Sequence, residues 1–207
     1  MITIGLTGGI GTGKTTVSKI LADLGAYIMD ADKVGHEMLL PQTEVWHDII
    51  ATWGRDLLTE DDQIDRRKLG AIVFSDPAAL QKLNSISHPR MKKVMADRLA
   101  TLRQEGQVPV VIVEAAILIE AKWYDIVDRV WMTHAAEGVA VRRLQARNGM
   151  SEEEALKRIR SQLTADERAK YAQLIIDTDC TLDELHQKTE QVWRAVQSDP
   201  ASVPSRI

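Results

Sequence analysis

The chain has 207 residues and a formal net charge of −4. That length suits one α/β domain with insertions and is too short for two large domains, while the mildly acidic balance provides no global basic field and leaves nucleic acid unsupported as a main partner. A single cysteine, Cys180, excludes an internal disulfide and fits a reducing cytosol.

Ile2, Ile4 and Leu6 alternate as a first strand, entered directly from Met1 with no basic start, apolar leader or cleavage site, so a cytoplasmic location is expected. The octapeptide Gly8-Gly9-Ile10-Gly11-Thr12-Gly13-Lys14-Thr15 then fits G-x-x-x-x-G-K-[ST]. Val17, Ile20, Leu21 and Leu24 follow at helical spacing, with Gly25 as the stop. Strand, glycine-rich loop and helix in that order predict a phosphate cradle. Successive backbone N–H groups turn inward, Lys14 reaches the β- and γ-phosphates, the Thr15 hydroxyl can ligate Mg²⁺, and the helix adds its positive end.

Ala26 to Met29 read as a second buried strand running into Asp30-Ala31-Asp32, at the carboxyl end where open parallel sheets bind ligands. Periodic apolar residues over 35–106 then predict a helical insertion: Pro77 suits a helix start, His88-Pro89 a further boundary, and Gly106 a helix end. Val110 to Val113 form a strand buried on both faces that ends on Glu114, and Arg129 to Thr133 form the next. A helix over Glu137 to Arg147 precedes the turn Asn148-Gly149, and Ser151 with Glu154 and Thr164 with Glu167 are spaced as capping boxes. Leu174 to Ile176 make a last strand before a closing amphipathic helix. No apolar run is long enough to span a bilayer; the longest, from Val108 to Ile119, is broken by Pro109 and Glu114.

The alternation predicts a parallel sheet covered by helices on both faces. Residues 1–34 and 107–197 would form the nucleotide-binding core, with 140–165 as a lid and 198–207, which hold two prolines and three serines, as a disordered tail.

A phosphoryl-transfer enzyme needs a phosphate cradle, Mg²⁺, positive charge over the transferring group and a group that takes the acceptor's proton. Asp32 suits the last task, or it caps the following helix. Glu114 either helps hold the metal or is an ordinary strand-end acid. Arg143 and Arg147 share a helical face and can hold phosphate oxygens, whereas Arg158 pairs with Glu154 in the manner of a solvated helix. His88 either meets a substrate or ends a helix before Pro89. The five tryptophans read mainly as core.

Leu6-Thr7-Gly8-Gly9-Ile10-Gly11, the nearby Asp30-Ala31-Asp32, His88-Pro89, Arg143 with Arg147, and Arg158-Ile159 with Gln162 together resemble dephospho-coenzyme A kinases over nearly the whole chain. The resemblance implies an α/β P-loop fold like that of nucleoside monophosphate kinases. It also implies transfer of the ATP γ-phosphate to the ribose 3′-hydroxyl of dephospho-coenzyme A. By motif, Asp32 is then the general base, Gly8 and Gly11 to Thr16 (Gly11, Thr12, Gly13, Lys14, Thr15, Thr16) the ATP phosphate site with Arg147, Arg143 a lid arginine, His88 part of the acceptor region, and Thr15 with Glu114 the metal site. The chain departs from the family pattern where Glu114 and Ala116 replace the usual Asp and Pro, and where Gln173 and Thr178 replace an Asp and an Asn near the expected adenine side.

Two rivals remain: another small-molecule or nucleoside monophosphate kinase of the same fold, and a nucleotide switch. The second rests on Asp32-Lys33-Val34-Gly35 matching D-x-x-G, but this lies too soon after the phosphate loop and no guanine-binding Asn-Lys-x-Asp follows.

Overall fold

The computed structural model describes residues 1–198 and 204–207, and the chain divides into two compact units, one of Met1–Met29 with Leu102–Ile207 and one of Asp30–Thr101.

In the first unit lies a five-stranded sheet of order β2-β3-β1-β4-β5, made of β1 (Ile2–Gly8), β2 (Tyr27–Asp30), β3 (Val110–Glu114), β4 (Arg129–His134) and β5 (Leu174–Asp177). β1 pairs in parallel with both β3 and β4, and β4 in parallel with β5. Parallel strands require crossovers, and helices supply them: α1 (Lys14–Asp23), α6 (Glu137–Asn148), α7 (Glu152–Arg160), α8 (Ala165–Ala169) and α9 (Leu182–Ser198). The helices intervening in sequence, α2 to α5, belong chiefly to the second unit.

Period-two alternation decides which side chains meet. Ile4, Leu6, Val110, Ile112, Trp131, Leu174 and Ile176 share one sheet face and pack under Val17, Ile20 and Leu21 of α1 and Leu185, Val192 and Val196 of α9. On the other face Val111, Val113 and Met132 are equally buried, so these strands read as continuous apolar runs. Trp46, Trp123, Trp131 and Trp193 are all buried, in keeping with core packing.

Ser198 is the last residue of α9, and of the expected disordered tail residues 199–203 lie outside the described residues. Residues 204–207 are not free chain: they run beside β5, where Ile175 N–H donates to Ser205 O (2.9 Å), Ile207 N–H to Ile175 O (3.0 Å) and Asp177 N–H to Ile207 O (2.8 Å). An apolar Ile207 on the core and an Arg206–Asp177 ion pair at 3.1 Å explain why a segment of low periodicity is held.

The second unit is helical, with α2 (Ala31–Glu37), α3 (Glu44–Trp53), α4 (Arg66–Ser75) and α5 (Pro77–Glu105). Its core gathers Val45, Trp46 and Ile49 of α3, Leu69 and Val73 of α4 and Ile86 of α5. Asp76 accepts from Ala78 N–H at 2.8 Å and Pro77 opens α5, where a missing N–H costs nothing. The boundary expected at His88-Pro89 is absent: α5 runs through Pro89 to Glu105. Proline disrupts the hydrogen bonds of the preceding turn, and here Arg90 Nη1 reaches back to Ile86 O at 2.9 Å while Ile86 and Met91 bury the inner face on both sides of the proline. Packing overrides the local break.

Candidate active site

The site grows from the end of β1. Gly8 pairs with Thr133 of β4, and a Cβ on Gly8 would lie 2.1 Å from Thr133 Oγ1, so only glycine allows this approach. Beyond it the chain folds back, Thr12 N–H to Gly9 O at 3.3 Å, with Gly11 and Gly13 at φ of 79° and 80°. Thr12 Oγ1 reaches Gly9 O at 2.7 Å and Thr133 Oγ1 at 2.8 Å. Gly13 caps α1, so Lys14, Thr15 and Thr16 fill its first turn, ahead of the regular helical hydrogen bonding, and Thr16 N–H turns back to Gly13 O at 3.0 Å.

Register brings the acid to the cradle. Glu114 ends β3 level with Leu6, and its Oε1 accepts from Lys14 Nζ at 2.6 Å and from Thr15 Oγ1 at 3.1 Å. Burial by itself would raise the Glu114 pKa, but hydrogen bonds from Lys14, Ser18 and Thr15 and the lysine charge outweigh it and hold the carboxyl below the usual glutamate range. A hydroxyl and an ionised carboxylate converging beside a phosphate cradle are hard oxygen donors of the kind Mg²⁺ takes.

The segment expected as a lid packs on the same loop. Val141, Leu144 and Ala155 bury a small cluster with Ile10 and Ile159, and Gln162 Oε1 accepts from Ile10 N–H at 2.8 Å. A cavity of about 320 Å³ lies among the phosphate loop, the end of β4 and residues 159–165. Both capping boxes form, and Thr181 with Glu184 makes a third that the sequence reading passed over. Arg147 is exposed and bonds Asn148 at 3.0 Å; Arg158 is exposed as well. Arg143 is half-buried and makes its contacts with Gly11 and Thr178.

Buried Arg168 of α8 joins this frame. It pairs through Nη2 with Glu120 at 2.5 Å and donates from Nη1 to Ala116 O (3.1 Å) and Thr7 Oγ1 (3.4 Å), tying α8 to the loop after Glu114. Arg168→Met is expected to lower unfolding stability by about 1–2 kcal/mol, since buried Arg168 leaves Ala116 O without its donor while the exposed Glu120 stays hydrated. Urea unfolding checks this; an unchanged midpoint would show the pair to be idle.

Of the remaining predicted residues, Asp32 stands exposed in the first turn of α2, and His88 is partly buried within α5. The cap of α2 is Asp30, whose Oδ1 accepts from Asp32 N–H (2.9 Å) and Lys33 N–H (3.3 Å), so the capping reading of Asp32 gives way. The chain turns at Ala31. Asp32 to Gly35 are helical rather than a loop, unlike a nucleotide switch. Among the described residues no helix is long and apolar enough to cross a membrane.

A family model described as dephospho-CoA kinase matches residues 2–184. A dephospho-CoA kinase from Geobacter sulfurreducens is 43% identical over 190 residues, covering 92% of this chain and 96% of the relative. Among solved structures, one from Thermus thermophilus superposes with a TM-score of 0.77 at 29% identity, covering 94% of this chain and 97% of the other. A dephospho-CoA kinase from Campylobacter jejuni shares the fold at a TM-score of 0.73 and 24% identity, covering 96% of this chain and 98% of that one.

Proposed function

The chain belongs to the dephospho-CoA kinase family, and from that premise we propose that it moves the γ-phosphoryl group of ATP to the ribose 3′-hydroxyl of dephospho-coenzyme A, giving coenzyme A and ADP. As a member of this family it is a kinase of the P-loop fold. The observation that carries the reading within the structure is the convergence of Lys14, Thr15 and Glu114 on a loop whose Gly11 and Gly13 hold left-handed conformations.

In this mechanism the N–H groups of Gly11 and of Gly13 to Thr15 and the Lys14 ammonium hold the β- and γ-phosphates, while Thr12 N–H and Thr16 N–H hold the loop in shape through Gly9 O and Gly13 O. Thr15 and Glu114 would hold Mg²⁺, which when bound neutralises charge on the phosphate oxygens. Asp32 accepts the proton of the 3′-hydroxyl as that oxygen bonds the γ-phosphorus and the bond to the ADP oxygen breaks. Arg143 and Arg147 add charge on the nucleotide side and His88 contributes to the acceptor side. A cytoplasmic site for this reaction is supported by a chain that carries a single cysteine.

The direct test is a magnesium-dependent, ADP-coupled assay with ATP and dephospho-coenzyme A, AMP, CMP, UMP or pantetheine phosphate, with the product identified by mass. Coenzyme A formed selectively is the expected result. Preference for a monophosphate would overturn the acceptor, and ADP release without any acceptor would overturn the kinase reading in favour of a hydrolytic switch.

A further inference from the structure

A phosphate loop works only with its carbonyls turned away from the anion, and two of these carbonyls are held from outside the loop. Arg143 Nη1 donates to Gly11 O at 3.3 Å, and Thr178, just beyond β5, donates its hydroxyl hydrogen to Thr12 O at 2.9 Å. The two residues are joined to each other, Arg143 Nη1 to Thr178 Oγ1 at 2.9 Å and Nη2 to Thr178 O at 2.6 Å. Thr178 is 1% exposed and is fixed by its own N–H, which donates to His134 O at 2.8 Å. Its hydroxyl also lies 3.1 Å from His134 O, a carbonyl the N–H already satisfies, so Thr12 O is the better acceptor.

In a trans peptide the C=O and the following N–H point in opposite directions. Drawing Thr12 C=O outward to Thr178 therefore aims the Gly13 N–H into the cradle, and drawing Gly11 C=O to Arg143 leaves the Thr12 N–H to close the turn on Gly9 O. Thr178 also abuts the left-handed Gly13, where a Cβ would stand 3.4 Å from Thr178 Oγ1.

We propose that Thr178 is a positioning residue which, joined to Arg143, sets residues Gly11 to Gly13 in their phosphate-binding form and so governs affinity for the polyphosphate chain rather than for the base. This rests on the phosphate-loop reading and not on the identity of the acceptor.

The test compares Thr178→Val, which removes the hydroxyl at nearly constant volume, with Thr178→Ser, which keeps it. Calorimetric titration of the full chain with inorganic tripolyphosphate and, separately, with ATP is the readout, alongside the KM for dephospho-coenzyme A. Thr178→Val is expected to weaken both tripolyphosphate and ATP by about tenfold, the effect of one hydrogen bond of about 1.4 kcal/mol, with the acceptor KM unchanged and with affinity restored in Thr178→Ser. Loss of ATP affinity with tripolyphosphate unaffected would assign Thr178 to the base and overturn the proposal, as would unchanged affinity for both. Thr178→Ala removes the hydroxyl without adding a methyl to the buried site and carries the same expectations if Thr178→Val does not fold. None of these titrations needs an acceptor, so a wrong acceptor assignment would leave their outcome intact.

Discussion

Replacing Asp32 with Asn is expected to lower kcat by about 10²- to 10⁴-fold, the range that a positioned general base contributes, while the Kd for ATP stays within about twofold. The amide keeps the size and hydrogen-bonding reach of the side chain but cannot take a proton at neutral pH. Folding provides no competing explanation for such a loss. The start of α2 depends on the Asp30 carboxylate, which occupies the N–H groups of Asp32 and Lys33, and the Asp32 side chain is exposed. Asp30→Ala is the complementary variant, removing a cap worth about 1 kcal/mol from the turn that carries Asp32 while keeping the Asp32 carboxylate itself. Steady-state kinetics with both substrates, paired with ATP titration, check the expectation. Turnover equal to that of the unaltered chain would remove Asp32 from the mechanism.

Lys14→Ala is expected to lower kcat/KM by about 10²- to 10³-fold, because one preorganised charge over the transferring phosphoryl group disappears. It should also disturb the protein without nucleotide. Glu114 is 8% exposed and would lose its closest cation, leaving burial to act on the carboxyl with only the Ser18 and Thr15 hydroxyls in opposition. The sign follows from linkage: a carboxyl held low in the folded state adds stability above its unfolded pKa and loses it as pH falls through the folded value. With Lys14 gone the folded value climbs, that contribution shrinks, and acid unfolding should begin at a higher pH. Circular dichroism across an acid titration measures it. An unchanged acid midpoint would mean that the Lys14–Glu114 contact contributes nothing in solution, and full activity would contradict the phosphate-site reading altogether.

What could be seen in the sequence was what the chain writes locally. The cradle is eight contiguous residues, the strands are apolar runs, and capping boxes span four positions, so each was readable without knowing the fold. Asp30 and Asp32 were harder, since two acids two residues apart differ in role only through where the helix begins. At Pro89 the local rule pointed to a boundary, yet Ile86 and Met91 bury the helix on both sides of it. Partners far apart in sequence left little local trace: Ser18 and Thr15 with Glu114, Thr12 with Thr133, Thr178 with Thr12 and Arg143, Arg168 with Glu120. A weak signal did exist, in that Thr7 and Thr133 are hydroxyl residues near the carboxyl ends of largely apolar strands, where a hydroxyl turned toward a ligand loop is unsurprising.

The short run from residue 204 to 207 beside β5 bears on how the protein behaves in crowded solution. A parallel strand at the flank of a sheet presents a row of open donors and acceptors on which another polypeptide can nucleate growth. Here Ser205 and Ile207 occupy that row themselves, and Arg206 places a charge along it. The flank is thereby guarded against intermolecular strand addition by four residues that lie far in sequence from every catalytic group.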